Sequence, residues 1–274
     1  MFCIWKGFTM KRKVKRYRFL FLVSAVLFLF SSYKVCSIMI QERKERQTFE
    51  KLEEIVHPSV QFPIKPADDA LQRAEEGSGD ASGPDLSSYI ALKEENSDFF
   101  GWISIEGTAV SYPVMYTPED EEYYLHRDFY GKEARSGVPF LAASCYEGCG
   151  NYLIYGHHMK NGTMFASLLD YAGREYWEEH PVIRFDTLTA SGEYEVAAAF
   201  YSEAYPQDAS GVFRFYQYTD LSEPYVFAEY MEQVRRAALY DTGVNVEYGS
   251  GLLTLCTCSY HMENGRFVVV ARKK

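Results

Sequence analysis

The sequence predicts a mostly β domain, a sandwich or barrel of about eight short strands, carried behind a single N-terminal membrane-spanning helix. Three observations lead there. An apolar run near the N-terminus follows a basic tail, a polar stretch rich in Pro, Gly, Ser and acid comes next, and then short β-rich segments succeed one another to the C-terminus.

Residues 1–18, MFCIWKGFTMKRKVKRYR, hold seven Lys/Arg and no acid and read as a cytoplasmic basic tail. Residues 19–40, FLFLVSAVLFLFSSYKVCSIMI, would span roughly 33 Å as a helix, enough for a bilayer core. Lys34 is its only charge, placed where it can snorkel to the interface. A cleaved signal peptide competes with this reading, but no small-x-small site is present and the run exceeds the roughly 7–15 residues of a signal core. The YKVC ending at Cys36 lacks the small residues expected before a lipid-modified cysteine. An uncleaved signal-anchor is therefore expected, with the N-terminus cytoplasmic and the bulk of the chain extracellular. The basic QERKER at 41–46 runs against that orientation and is diluted by Glu42 and Glu45.

Charge divides sharply. Residues 1–51 carry a net +9 and the remaining 223 a net −19. An acidic exported body argues against nucleic acid as a partner and fits a soluble body at an anionic cell surface.

From 41, ERKERQTFEKLEEIV reads as a polar helix leaving the membrane, and AEEGSGDASGPD (74–85) as a flexible linker, so 41–85 forms a juxtamembrane segment. The folded domain is expected at 86–274. LSSYIALKEENSDF begins it with a helix. WISI, VSYPVM, GVPFLAA, NYLIYG, PVIRFDT, GEYEVAAAFYSEA, GLLTLCTC and RFVVVAR then read as strands, most of them separated by turn residues. One interruption, 222–243, has helical spacing, Ser-Glu-Pro at its start and a Gly stop, and lies directly before the strand with the cysteine pair. No internal repeat is present.

The six cysteines stand at 3, 36, 145, 149, 256 and 258, the last four in the exported part. A metal clip would draw on Cys145, Cys149, His157, His158, Cys256, Cys258 and His261, but C-x-C on an extended strand chelates poorly. Cys145 and Cys149 lie in SCYEGCG, compatible with a small surface disulfide and equally with two free thiols. Cys256 and Cys258 are too close in sequence for good disulfide geometry. A third reading is catalytic. Alternation along GLLTLCTC puts Cys256 and Cys258 on one face, with Cys258 at the strand end. The connection SYHMENG, with its Asn-Gly, brings Arg266 of the return strand opposite Cys258. A guanidinium there stabilises negative charge on sulfur and can hydrogen-bond a developing oxyanion. Acyl transfer also needs a proton donor for the leaving amine, and NYLIYGHHMKNGTMF supplies His157 at the end of an apolar strand.

TLCTC (254–258), YGHHMKNGTMF (155–165) and Arg266 together resemble the sortase family, class B in particular. The resemblance runs through FFGWISIEGTAVSYPVMY and EEYYLHRDFYGK over residues 86–274, and the helix before the cysteine strand is similar to the one class B carries. It implies a closed eight-stranded β-barrel and a membrane-anchored cysteine transpeptidase. Carried over residue by residue, Cys258 is the nucleophile, His157 the general acid and later base, and Arg266 the oxyanion and substrate-positioning group. Cys256, Thr257 and Ser259 are expected to line the substrate site, and His158 to hold a surface role. GVPFLAASC has Ala142 and Ala143 where such enzymes often carry an acid, so a Cys-His-Arg arrangement fits better than a Cys-His-Asp triad.

The resemblance implies no cofactor and no metal. The partners it implies are secreted proteins ending in an NPxTx-like sorting signal, cleaved after Thr, and a cell-wall peptide amine or its lipid-linked precursor. An L,D-transpeptidase would need an S-H-G-C-like motif that is absent, and papain-like proteases place Cys before His. A pilin-polymerising sortase and a non-enzymatic metal-binding or adhesive surface domain are the remaining alternatives.

Overall fold

The structure is a computed structural model, and it describes residues 5–56 and 86–274. The expected linker at 74–85 lies outside the described residues. Contacts divide the chain into two compact units, one up to Thr48 and one from Phe49 to Lys274.

The first unit consists of most of helix α1, Trp5–Val56. Leu20, Phe21, Leu22, Leu27, Phe28 and Leu29 are all exposed on it. Among the described residues, Leu20–Val56 is long and apolar enough to cross a membrane by length and composition.

The second unit begins with the last two turns of α1. Phe49, Leu52 and Val56 recur at helical spacing and are buried in the main core, Phe49 edge-on to Tyr112 at 5.2 Å between ring centroids. The domain start expected at Leu86 therefore falls short: a polar-looking helix contributes three core side chains. Helix α2 (Leu86–Glu95) follows, burying Tyr89 and Leu92. Tyr89 donates to the buried carboxylate of Asp186 at 3.0 Å, which also accepts from Gly192 N–H.

Eight strands follow: β1 (Phe99–Ser104), β2 (Ser111–Met115), β3 (Phe140–Leu141), β4 (Asn151–Gly156), β5 (Val182–Thr187), β6 (Glu193–Glu203), β7 (Leu252–Cys258) and β8 (Gly265–Lys273). They pair in the order β1-β2-β3-β4-β7-β8-β6-β5, and β5 returns to β1, so the pairings close into a ring. Six expected strands agree closely with these bounds. β3 is only two residues long, because Pro139 cannot donate to a ladder and the partner contact to β2 is a single parallel step, Met115 to Phe140.

Helix α3 (Arg174–Glu179) is short and was not anticipated. Helix α4 (Pro224–Ala237) buries Phe227, Tyr230, Met231 and Val234, the i, i+3, i+4, i+7 stripe of an amphipathic helix. It ends six residues before the Gly243 stop read from the sequence, because Leu239 N–H turns to Ala199 O of β6 at 3.0 Å.

β4 and β7 are adjacent and parallel although about 100 residues apart. A polar pin sets their register. Thr254 Oγ1 donates to Asn151 Oδ1 at 2.8 Å, and the Tyr230 hydroxyl of α4 meets Thr254 Oγ1 at 3.0 Å. Asn151 Nδ2 donates to Tyr218 O. All three side chains are fully buried, so each polar group needs its partner.

Candidate active site

The site forms where β4, β7 and β8 end together. Tyr155 pairs with Cys256 and Gly156 with Thr257, so the next rung carries His157 beside Cys258. Across the antiparallel ladder Cys258 pairs with Arg266. Three strands thus bring the nominated His, Cys and Arg onto neighbouring positions at one end of the sheet. All three line a cleft of about 370 Å³, together with Tyr155, Phe140 and Cys256.

Local sequence explains why His157 sits there. Gly156 ends β4 against the Phe165 ring, where any Cβ would lie 2.5 Å from that ring. The chain then loops through Gly162 at φ +82, with Asn161 Oδ1 accepting from Thr163 N–H and hydroxyl. Met164 N–H donates to Tyr112 OH at 3.0 Å, and Phe165 N–H returns to His157 O at 2.9 Å. The Gly, Asn-Gly and Met-Phe of this run therefore close a loop that presents His157 at the strand end.

The imidazole is braced. His157 Nε2 lies 2.7 Å from Leu125 O, and a carbonyl only accepts, so Nε2 carries the hydrogen and Nδ1 is the basic nitrogen of the neutral ring. Leu125 belongs to the 3-10 turn Tyr123–His126, and the His126 ring stacks on His157 at 5.4 Å. Burial holds the His157 pKa below its ordinary value; the Leu125 carbonyl opposes this and His126 adds to it.

The two cysteines of the C-x-C pair differ in environment. Cys258 is half-buried on the last rung, whereas Cys256 is buried one turn of the pleat earlier. Burial pushes the Cys256 thiol up to about 12, with the Arg266 charge pulling the other way. Arg266 Nη1 donates to Asn264 O and Gly265 O of its own hairpin, which fixes the guanidinium at the cleft. Asn264 takes φ +56, and a Cβ on Gly265 would lie 2.4 Å from Ser259 O, so Asn-Gly is what this tight hairpin requires.

Two expectations, for Ser259 and His158, are corrected. Thr257 lines the cleft, but its side chain is buried and its hydroxyl donates to Gly156 O at 2.8 Å, tying β7 to the residue before His157. Ser259 is not among the cleft-lining residues; its hydroxyl meets His261 Nδ1 at 2.8 Å. His158 is no bystander at the surface: it is half-buried, Nδ1 is 3.2 Å from Cys258 O, and its ring packs on Tyr260. Cys145 and Cys149, for which a disulfide and two free thiols were equally open, stand as free, buried thiols. Among the described residues no group of three or more His, Cys, Asp or Glu is placed to hold a metal ion.

The sequence reading missed Glu121, Glu122 and Leu125, which line the cleft from the loop after β2. Glu121 Oε2 accepts from Ala143 N–H at 2.5 Å, so a carboxylate reaches the acid-free GVPFLAASC segment from a different loop. Adjacent Glu-Glu before a Tyr-Tyr pair was the only available signal, and it has no period.

A half-exposed thiol, a braced imidazole and a guanidinium in one cleft can carry out acyl transfer: nucleophile, proton donor and oxyanion partner are all present. Comparison with known proteins agrees. A Sortase domain family model matches residues 103–274. Sortase B of Staphylococcus aureus is 26% identical over 270 residues, covering 96% of this chain and 97% of that protein. Sortase B of Listeria monocytogenes is 27% identical over 257 residues, covering 90% and 92%. The solved Staphylococcus aureus sortase B–substrate complex superposes with a TM-score of 0.68 at 24% identity, covering 86% of this chain and 98% of that one, a likeness of fold. With the family match spanning well over half of it, this chain belongs to the sortase family of cysteine transpeptidases, and its relatives are of the B class.

Proposed function

We propose that the protein is a membrane-anchored transpeptidase that acts outside the cell on the C-terminal sorting signal of an exported protein, with Cys258 as nucleophile, His157 as acid and base, and Arg266 as oxyanion partner. One observation carries the assignment: the β4·β7·β8 register sets these three residues side by side at the edge of one cleft.

The steps follow from the groups present. Cys258 passes its thiol proton to the free nitrogen of His157 as its sulfur adds to the carbonyl of a Thr in the signal, and Arg266 stabilises the oxyanion. His157 gives a proton to the departing amine as the tetrahedral species collapses to a thioester. His157 then takes a proton from an incoming amine, a cell-wall peptide or its lipid-linked precursor, which resolves the thioester into a new amide. A related sortase B has been solved as a substrate complex, which supports reading the cleft as a substrate site. An NPxTx-like signal fits the B-class resemblance. Thr257 and His158 act as positioning residues, the first on the Gly156 carbonyl and the second on the Cys258 carbonyl.

The apolar α1 anchors the enzyme, the basic tail stays cytoplasmic, and 86–274 together with 49–56 makes up the catalytic body. The test uses the full chain in detergent micelles with a fluorogenic NPxTx-type peptide and a primary-amine acceptor. Amide product that rises with amine concentration, and a thioester trapped on Cys258, are expected. Hydrolysis with no amine ever entering the product would make the protein a protease and overturn the reading.

A further inference from the structure

Cys145 and Cys149 take no part in the cleft, and their arrangement is that of a reactive pair. They flank a tight turn between β3 and β4. Cys149 N–H donates to Tyr146 O at 3.0 Å, and Gly148, third in the turn, has φ +83 as a type II turn demands. The turn sets both sulfurs over one backbone oxygen: Cys145 Sγ is 3.6 Å and Cys149 Sγ 3.4 Å from Asn151 O. Leu153 N–H also points at Cys145 Sγ, at 3.4 Å. Asn151 opens β4 and is held by the buried pin to Thr254, so the platform beneath the sulfurs is rigid. The turn itself is at the surface, with Tyr146, Glu147 and Gly148 exposed.

We propose that Cys145 and Cys149 form a redox-active dithiol that closes to an intraloop disulfide by exchange with a disulfide donor, either a low-molecular-weight disulfide or an exported oxidoreductase. The hydrogen bond from Cys145 holds the Cys149 thiol below its ordinary value against the opposing effect of burial, and the same bond raises Cys145. Cys149, the less deeply buried of the two at 5% exposed against 1% for Cys145, is the attacking sulfur. Its thiolate displaces one thiolate from the donor and forms a mixed disulfide. Cys145 then loses its proton, attacks the Cys149 sulfur and expels the second thiolate. The pair gives up two electrons and two protons, and the donor disulfide becomes two thiols. The extracellular setting of the reading above is what supplies a donor. The chemistry itself needs no transpeptidase activity, so the two readings fail separately.

The loop also touches the site. The Tyr116 hydroxyl donates to Cys145 O, and Ala143, two residues earlier, donates to Glu121 in the cleft wall. The test uses the full chain in detergent micelles with Cys258→Ala to remove the competing thiol. Samples are incubated with oxidised glutathione, unfolded and alkylated. Trypsin releases Ser136–Lys160, which contains both cysteines and no other. The expected result is loss of two hydrogens from that peptide and escape from alkylation until a reductant is added, with both effects abolished by Cys149→Ser. A peptide that still takes up two alkyl groups, or that accumulates only a glutathione adduct, overturns the proposal.

Discussion

Gly137→Ala tests whether the brace on His157 matters. Gly137 has φ +58, and a Cβ there would lie 2.4 Å from Leu125 O and 2.6 Å from Tyr124 O. Leu125 O is the acceptor that holds His157 Nε2 at 2.7 Å. An alanine must adopt a left-handed backbone, at a cost of about 1–2 kcal/mol. It must also drive the Leu125 carbonyl back by at least about 0.6 Å to reach the 3.0 Å below which such contacts are not found. Weakening the bond to a half-buried imidazole adds roughly 1–3 kcal/mol. The strain lowers stability, while the weakened bond and the shift of about 0.6 Å predict a kcat loss of roughly ten- to a hundredfold.

Two measurements check this: amine-dependent turnover, and the His157 titration followed by NMR. The Leu125 carbonyl is what raises the His157 pKa against burial, so loosening it moves the titration further down. A histidine with a folded pKa below its unfolded value makes stability rise with pH up to about 6.5 and level off above. The variant steepens that rise. If kcat stays within twofold and the titration does not move, the carbonyl is no brace and the geometric argument fails.

Cys258→Ala is expected to abolish thioester formation, whereas Cys256→Ser keeps a substantial fraction of turnover, because only Cys258 stands at the strand end beside Arg266; labelling with a thiol-trapping substrate analogue separates the two. Arg266→Lys replaces a planar fork by a point charge and is expected to lower kcat by roughly 10²–10³; near-full activity in the same assay would reduce Arg266 to a general positive charge. His126→Gln removes a stacked neighbour that lowers His157, so the His157 titration is expected to move up, and a downward shift would reverse the electrostatic assignment. Leu52→Ala in residues 49–274 empties a fully buried site and is expected to cost about 2–5 kcal/mol, lowering the urea midpoint by roughly 1 M. No shift in midpoint would mean that α1 contributes nothing to the domain.

What could be read from the sequence was whatever repeats at short range. FVVVA and LLTLC declare strands buried on both faces, and Phe227, Tyr230, Met231 and Val234 declare one face of a helix. His157, Cys258 and Arg266 were legible because each stands at a strand end beside a turn with recognisable chemistry, Gly156 in one case and Asn264-Gly265 in the others. The acidic wall of the cleft was not legible. Glu121 and Glu122 precede a 3-10 turn too short to show a period, and the Glu121 carboxylate is held by Ala143, which is distant in sequence. Phe49, Leu52 and Val56 were hidden by the charges around them, since EKLEE between two apolar residues reads as a solvated helix until something covers its narrow face.

The deepest omission is register. A strand period of two says that Cys256 and Cys258 share a face, but not which residue of β4 stands beside them. A slip of one residue between β4 and β7 would set Gly156 against Cys258 and turn the imidazole to the opposite face. The apolar side chains of NYLIYG and LLTLCTC do little to forbid that slip, since both strands are covered on both sides. Asn151 and Thr254 do forbid it. Their 2.8 Å bond exists in one register only, and in any other each would be a buried polar group without its partner, a penalty of roughly 1–3 kcal/mol apiece. The residues that align the nucleophile with its acid are therefore two polar side chains at the far end of the strands, and they look in the sequence like ordinary strand and turn residues.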